Sequence, residues 1–452
     1  GADRMKSIAE MEKLIENFDK FSYYLNDKLE RDIEENRKGR FVIRIRNKDG
    51  SVPADATVTV KQLTHEFKFG SSLFYLDQFG DNERRQMYRD RFSELFNYAV
   101  APLYWDTLEP EEGKPRFDEK TSPHIDRRPP LDTIMRFCRE NDIKVKGHCL
   151  VYNSFQPDWI SDSNRELKMQ IERRIKALAE RYPNDFNDMD VVNEMFAIYK
   201  NCYKGNAARN LQITDDKDYE KWSFETTKKY FPYAKRFWIE GVDQVFGRGY
   251  HGTRSFYYMT IEKLMRENVE VEALGMQYHM YYDFDIHEKI CNPLRMLDAF
   301  DCYGRFGLPV QISEVSIPSY SASRYECELQ AELTKRLYKL WFGRKENEAI
   351  VWWNLADGTA YYTENAYSAG LLDNSCEKKP AYRELERLIN HEWKTEFETQ
   401  LIPELRFSGF YGNYEITVIA DGRKSVHNIS LCKDNTGYDN RLCDFRGTDI
   451  IL

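Results

Sequence analysis

The sequence predicts an α/β fold: a (β/α)8 TIM barrel carrying small β additions before and after it. Three observations lead there. Eight short apolar runs recur along the middle of the chain with amphipathic segments between them, as a parallel barrel with crossover helices requires. The alternating period that marks half-buried strands occurs only outside this stretch, near both ends. No Gly-x-Gly-x-x-Gly or P-loop follows an early run, which removes the usual signature of a doubly wound open sheet.

The elements follow in order. Residues 5–37 place Ile8, Met11, Leu14, Ile15 and Phe18 at helical spacing, giving one or two helices. Residues 41–46 alternate, Asn47-Lys48-Asp49-Gly50 is a turn, and 56–60 alternate again. That pattern reads as a hairpin or two strands of a small sheet. The eight runs are 69–74, 96–101, 144–151, 189–193, 236–240, 273–278, 309–315 and 349–355. The clearest helices between them are 131–140, 165–182, 255–268 and 327–342. A long polar connection follows Glu194 and includes Asn210 to Asp216; such βα loops usually build sites. After about residue 393 the helical period stops. Residues 414–419 and 429–431 alternate, punctuated by Gly409, Gly412, Gly422 and Gly437. The expected units are therefore 1–65 (helical segment and small β unit), 66–392 (barrel) and 393–452 (small β domain).

Composition narrows the function. The 452 residues carry 66 Lys+Arg against 75 Asp+Glu, a net charge of −9, with no basic block. Nucleic acid and anionic membrane are poor partners for such a chain. No apolar run reaches the ~18 residues of a membrane span. The first residues lack a basic-then-apolar signal pattern; the expected location is secreted or periplasmic, with the signal peptide not present in this chain. Nine scattered cysteines without a Cys-x-x-Cys pair argue against a disulfide scaffold or zinc cluster. The Asn428-Ile429-Ser430 sequon reads as chance. Aromatic residues reach 14%, enough to thicken a core or to line a site for sugar rings.

In a (β/α)8 barrel, chemistry collects at the C-terminal ends of the strands. The third run ends near His148 and leads to Tyr152-Asn153. The fourth ends in Asn193-Glu194, the sixth in Gln277-Tyr278-His279 and the seventh in Glu314. The eighth holds Trp352-Trp353-Asn354 and then Asp357. Two glutamates facing each other across a barrel mouth suit glycosidic cleavage, one giving a proton to the leaving oxygen and the other attacking the anomeric carbon. Asn193 is placed to bond a sugar 2-hydroxyl, His279 to keep a nucleophile ionised, and Trp353 to floor a sugar ring. Each residue taken alone also fits a structural role, as a cap, a buried ion pair or core. A zinc site from His148, His279 and a glutamate lacks ligand spacing, and no Gly-x-Ser-x-Gly elbow occurs.

These motifs resemble glycoside hydrolase family 10, the retaining endo-β-1,4-xylanases and relatives, over roughly residues 66–390. Phe96-Asn97 and Trp105-Asp106-Thr107-Leu108-Glu109-Pro110-Glu111-Glu112-Gly113 are similar to its second-strand segment. Gly147-His148-Cys149-Leu150-Val151-Tyr152-Asn153 resembles its Gly-His-Thr-Leu-Val-Trp-His. Asp190-Val191-Val192-Asn193-Glu194, Gln277-Tyr278-His279, Ile312-Ser313-Glu314, Trp353 to Asp357 and Lys379-Pro380-Ala381-Tyr382 match later motifs in order. The resemblance implies a carbohydrate substrate, no cofactor, Glu194 as acid/base and Glu314 as nucleophile. It implies that His148, Asn193, Gln277, His279 and Trp353 line the subsite of the sugar being cleaved. Both β additions resemble flanking pieces of long family members, and without an obvious Trp platform they read as structural.

The departures cluster on the glycone side. The family's Pro-Glu-Asn-x-Met-Lys-Trp becomes Ala99-Val100-Ala101-Pro102-Leu103-Tyr104-Trp105, losing a Glu, an Asn and a Lys. A Trp becomes Tyr152, a His Asn153, a Gln Phe155 and a closing Trp Tyr361. Ser316 stands where an Asp is usual. Each lost hydrogen-bonding group removes on the order of 1–3 kcal/mol of recognition. Tyr104, Tyr152 and Tyr361 are expected to line the altered site. The leading expectation is an endo-β-1,4-xylanase-like enzyme on xylan or xylo-oligosaccharide. The alternatives are a retaining β-glycosidase for another glycan or a plant glycoside, and a non-catalytic glycan-binding barrel.

Overall fold

The computed structural model describes residues 2–196, 218–401 and 403–452; the polar connection at 210–216 lies outside them. Eight parallel strands close a barrel. In order they are Lys68–Ser72, Tyr98–Pro102, Lys144–Tyr152, Phe186–Asn193, Lys235–Glu240, Ala273–His279, Val310–Ser316 and Asn347–Trp352. Each pairs with its neighbour in sequence, and the eighth returns to the first with Ala349 opposite Lys68. Every apolar run of the sequence overlaps one of these strands. The runs are continuous because helices cover the outside while side chains fill the inside: all residues of Tyr98–Pro102 and Val310–Ser316 are buried.

Local chemistry starts the crossover helices. Asp81 accepts from the Arg84 N–H at the start of Asn82–Leu95. Asn292 caps Pro293–Gly304, whose proline occupies the first turn, where its missing N–H costs nothing. Ser323 caps the longest helix, Arg324–Gly343, and its hydroxyl also donates to Glu326 at 2.7 Å. The N-terminal helices, Ala2–Asp19 and Ser22–Arg37, bury Met11, Leu14, Phe18 and Leu25 in the barrel's own hydrophobic core. They pack against Arg324–Gly343.

The barrel interior is polar at its N-terminal end. Lys68 reaches Asp188 at 3.2 Å and Glu348 at 3.4 Å, and Tyr98 donates to Asp188. Gln311 donates to Glu348 at 3.1 Å and accepts from Lys146 at 3.0 Å. Burial pushes the Asp188 carboxyl up, but the surrounding lysines and the Tyr98 hydroxyl outweigh it and hold the group below its ordinary value. This satisfied network plugs the barrel beneath the cleft that opens at the other end.

The two β additions share sheets. Lys38–Arg46 pairs with Leu405–Phe410 and Thr448–Ile451. Thr57–His65 pairs with Glu396–Gln400 and with Gly412–Ala420, which continues to Arg423–Leu431. The two alternating segments near the N-terminus are therefore not a hairpin; each finds its partners more than 300 residues away in sequence. Their inner faces meet in one core that includes Phe41, Ile43, Val58, Val60, Tyr414, Ile416 and Val418. This sandwich contains no tryptophan. Among the described residues no helix is long and apolar enough to cross a membrane.

Asp188→Ala removes the buried carboxylate that Lys68 and Tyr98 share, leaving, among the described residues, Lys68 only Glu348 at 3.4 Å and Tyr98 only Gln311 at 3.2 Å. We expect a loss of about 3–5 kcal/mol of unfolding free energy by denaturant titration; a loss under about 1 kcal/mol would mean the plug carries little stability.

Candidate active site

A cleft of about 480 Å³ opens at the C-terminal end of the barrel. All ten residues singled out from the sequence line it: Tyr104, His148, Tyr152, Asn193, Glu194, Gln277, His279, Glu314, Trp353 and Tyr361. Five strand ends and two loops bring them together, because side chains leaving the top of a parallel barrel converge on its axis.

Glu314 lies within the seventh strand and is 4% exposed. Its Oε2 is 2.6 Å from His279 Nε2. Its Oε1 lies 3.4 Å from His148 Nε2 and is otherwise buried without a hydrogen bond. Burial pushes this carboxyl up; positive charge on His148 and His279, the His279 bond and the more distant Lys146 pull it further down, so it lies below its usual value. His148 is held from behind by Asp190, 2.7 Å from Nδ1, and Asp190 is braced by Lys146 at 3.3 Å. A line of polar contacts thus runs from the barrel plug to Glu314. For His279, burial disfavours the charged ring, yet the bond to Glu314 prevails and raises its pKa. Its Nδ1 meets the Ser316 hydroxyl at 2.8 Å.

Glu194 follows the fourth strand with φ +50, a left-handed conformation that costs a non-glycine residue energy and is concentrated at functional sites. Tyr152 donates to its Oε2 and Gln277 to its Oε1, both at 2.9 Å. Gln277 also donates to Asn193 at 3.2 Å. Trp353 is buried edge-on against His148 and Phe74, with ring centroids 5.3 and 5.0 Å apart. Phe155, another left-handed residue at φ +58, packs on Tyr104 at 4.7 Å and Tyr361 at 5.5 Å.

Residues 66–387 match the family described as glycosyl hydrolase family 10. The chain belongs to that family. It is 24% identical over 412 residues to the anti-sigma-I factor RsgI6 of Acetivibrio thermocellus, covering 88% of this chain and 47% of that one. It is 24% identical over 330 residues to endo-1,4-beta-xylanase 1 of Arabidopsis thaliana, covering 72% and 31%. The chain thus spans half or less of the length of these two relatives. Among solved structures, xylanase 10B from Thermotoga petrophila in complex with xylobiose superposes with a TM-score of 0.56 at 20% identity, covering 72% of this chain and 95% of that one. At that identity the likeness establishes the barrel fold.

Within this family 10 barrel several strand-end residues behave differently from one another. Asp357 turns away from the cleft to pair with Lys379 at 3.1 Å and to accept from the Gly370 N–H. Tyr278 is core, donating to the Ile290 carbonyl. Sequence reasoning missed Glu240, which ends the fifth strand and lines the cleft. The strand-end rule applied to the other runs points to it equally. Its Oε1 accepts from Trp238 Nε1 at 3.0 Å and from the Met195 N–H at 2.9 Å, so it anchors the backbone just after Glu194. Burial, with the charge of Glu194 adding, pushes its carboxyl up to about 8. Also missed were Arg127, Arg128, Tyr281 and Glu364. They lie on connections, where neither hydrophobic period nor strand end marks them.

Glu240→Gln keeps the shape and an acceptor oxygen while removing the proton. The folded carboxyl sits near 8 against an ordinary value of 4.5, so folding takes up a proton and wild-type stability declines as pH rises through that window. The Tm advantage of Glu240→Gln over wild type should therefore widen from about pH 5 to about pH 9 by calorimetry. A gap that does not change with pH would rule out a protonated Glu240.

Proposed function

We propose that the chain is a retaining glycoside hydrolase cleaving β-linked xylan or xylo-oligosaccharides, with Glu314 as nucleophile and Glu194 as general acid/base. The observation that carries this reading is Glu314 itself: a buried carboxylate kept ionised by two histidines, with one oxygen lacking a hydrogen bond. That oxygen is suited to attack an anomeric carbon, since a nucleophile already saturated with hydrogen bonds would have to shed them first.

In the first step Glu314 Oε1 forms a bond to the anomeric carbon as the glycosidic C–O bond breaks. The proton of Glu194 passes to the leaving oxygen. In the second step Glu194, now ionised, takes a proton from water. The water oxygen replaces Glu314 at the anomeric carbon, giving net retention. Tyr152 and Gln277 hold the Glu194 carboxyl in one orientation through both steps. Asn193, whose side-chain oxygen is engaged by Gln277, keeps its N–H groups for the sugar 2-hydroxyl, a contact that strengthens as positive charge develops on the ring. Trp353 and Tyr104 supply apolar surface for sugar faces. A polymeric glycan also implies work in the medium or periplasm. The β-sandwich at the chain ends serves as a structural brace, with 1–65 and 393–452 flanking a barrel at 66–392.

Glu314→Ala should abolish turnover of an activated aryl β-glycoside, with a drop of roughly 10⁴-fold or more, and azide should restore it with an α-glycosyl azide as product. Glu194→Ala should retain the first step on an activated leaving group and yield the β-glycosyl azide. Full activity in Glu314→Ala would overturn the assignment. Separately, product analysis on polymeric xylan, beside aryl β-xyloside, xylobioside, glucoside and cellobioside, should show xylo-oligosaccharides; none from xylan, with another glycoside cleaved, would refute xylan as substrate.

A further inference from the structure

Arg127 and Arg128 stand side by side on the wall of the cleft, each 5% exposed. They belong to the connection between the short helix Trp105–Leu108 and the helix Leu131–Glu140. No carboxylate among the described residues lies within ion-pair distance of either guanidinium. Arg127 is fixed by neutral acceptors: its Nε donates to the Thr359 carbonyl at 2.8 Å and its Nη2 to Asn354 Oδ1 at 3.0 Å. Arg128 is less satisfied. Its guanidinium donates to the Arg127 carbonyl at 2.9 Å, lies 4.2 Å above the Tyr104 ring, and leaves a buried Nε with no partner.

Arg174 and Arg236 also leave a buried Nε unbonded, but the terminal nitrogens of this chain's other buried arginines are better satisfied than those of Arg128. Arg174 donates to three carbonyls, those of Leu103, Cys149 and Leu150. Arg236 is paired with Glu270 and Glu272, and Arg344 with Asp301 and Glu346. Two adjacent buried cations with one of them largely unbonded form an expensive arrangement unless a ligand completes it. The acidic groups nearest in electrostatic terms do not complete it. Asp106 and Glu364 are both pushed above their ordinary values by burial, despite the arginines.

The position decides what the ligand is. Tyr104, Phe155 and Tyr361 surround the pair, and these mark the glycone side, where Val100 and Ala101 replace the acid and amide that bind a neutral sugar's hydroxyls. With apolar side chains at those positions, the two guanidiniums supply much of the polarity left on this wall. Guanidinium forks match a planar carboxylate bidentately, and the Tyr104 and Phe155 rings offer the apolar faces on which a pyranose rests.

We propose that the glycone end of the cleft takes a carboxylate-bearing sugar, a uronic acid residue or branch, held by Arg127 and Arg128. This rests on the glycosidase reading above. The test uses the whole 452-residue chain with Glu314→Gln and calorimetric titration with two probes. One is a xylotriose carrying a glucuronic acid branch; the other is the same oligosaccharide with that carboxyl reduced to the alcohol. The acid should bind roughly tenfold tighter or more, as a charge-assisted pair warrants, and the advantage should shrink with rising ionic strength. Adding Arg128→Gln should bring the ratio of the two affinities close to one. Should that variant fail to fold, the ratio and its salt dependence in the Arg128-containing protein decide alone. Equal binding of the two probes, or tighter binding of the reduced one, overturns the proposal. That outcome leaves aryl glycoside turnover untouched, whereas failure of the glycosidase reading appears as Glu314-independent hydrolysis or none.

Discussion

The site is organised around one electrostatic constraint: a carboxylate, Glu314, has to stay ionised at 4% exposure inside a barrel. Desolvation alone would protonate it. The surrounding structure answers through stacked polar layers. His279 bonds one oxygen and His148 faces the other. Asp190 holds His148, and Lys146 links Asp190 to Gln311 in the polar plug. The plug includes Tyr98, Asp188, Lys68 and Glu348 from four different strands. Strand register, barrel closure and the charge state of Glu314 are therefore one problem, because moving any strand by a residue would send a link of this chain outward.

Glu240 shows the opposite solution to the same constraint. It is buried in the same cleft; among the described residues no histidine or lysine pairs with it, and it accepts neutral N–H donors from Trp238 and Met195. Its carboxyl is pushed up rather than down. Two glutamates ending strands of one barrel thus take different charge states, and what separates them is the partner each strand neighbour supplies. A neutral Glu240 adds no further negative charge to the cleft that holds the Glu314 carboxylate.

The aromatic surplus divides along the same axis. Phe74, Tyr104 and Trp353 belong to one apolar cluster that reaches down to Tyr98 above the plug, with Tyr152 and Phe155 packed on it. Where the family motif carries an acid, an amide and a lysine, the core here extends toward the cleft. Such rings offer flat apolar faces to whatever occupies the cleft. The remaining polarity is concentrated in a few groups, so each of those groups weighs more in deciding which sugar fits.

The sequence by itself determined the barrel, its eight strands and seven of the side chains that line the cleft, those at strand ends; Tyr104, Tyr152 and Tyr361 were named from the family resemblance. A parallel strand covered by helices must be an unbroken apolar run, and its last polar residue must lie at the mouth; both are local properties of the chain. Asn193, Glu194, Gln277, His279 and Glu314 could be named from that rule. Tertiary structure alone decided the rest. Lys38–Arg46 and Thr57–His65 look like a hairpin in sequence but pair across the chain ends, since alternation specifies a half-buried strand without specifying its partner. Asp357 and Glu240 obey the same strand-end pattern, yet one leaves the cleft for Lys379 and the other enters it. Arg127 and Arg128 sit on a connection with no period, and their meaning comes from which acceptors lie within reach. Charge state, pairing and satisfaction depend on neighbours distant in sequence, and only the folded chain brings those neighbours into contact.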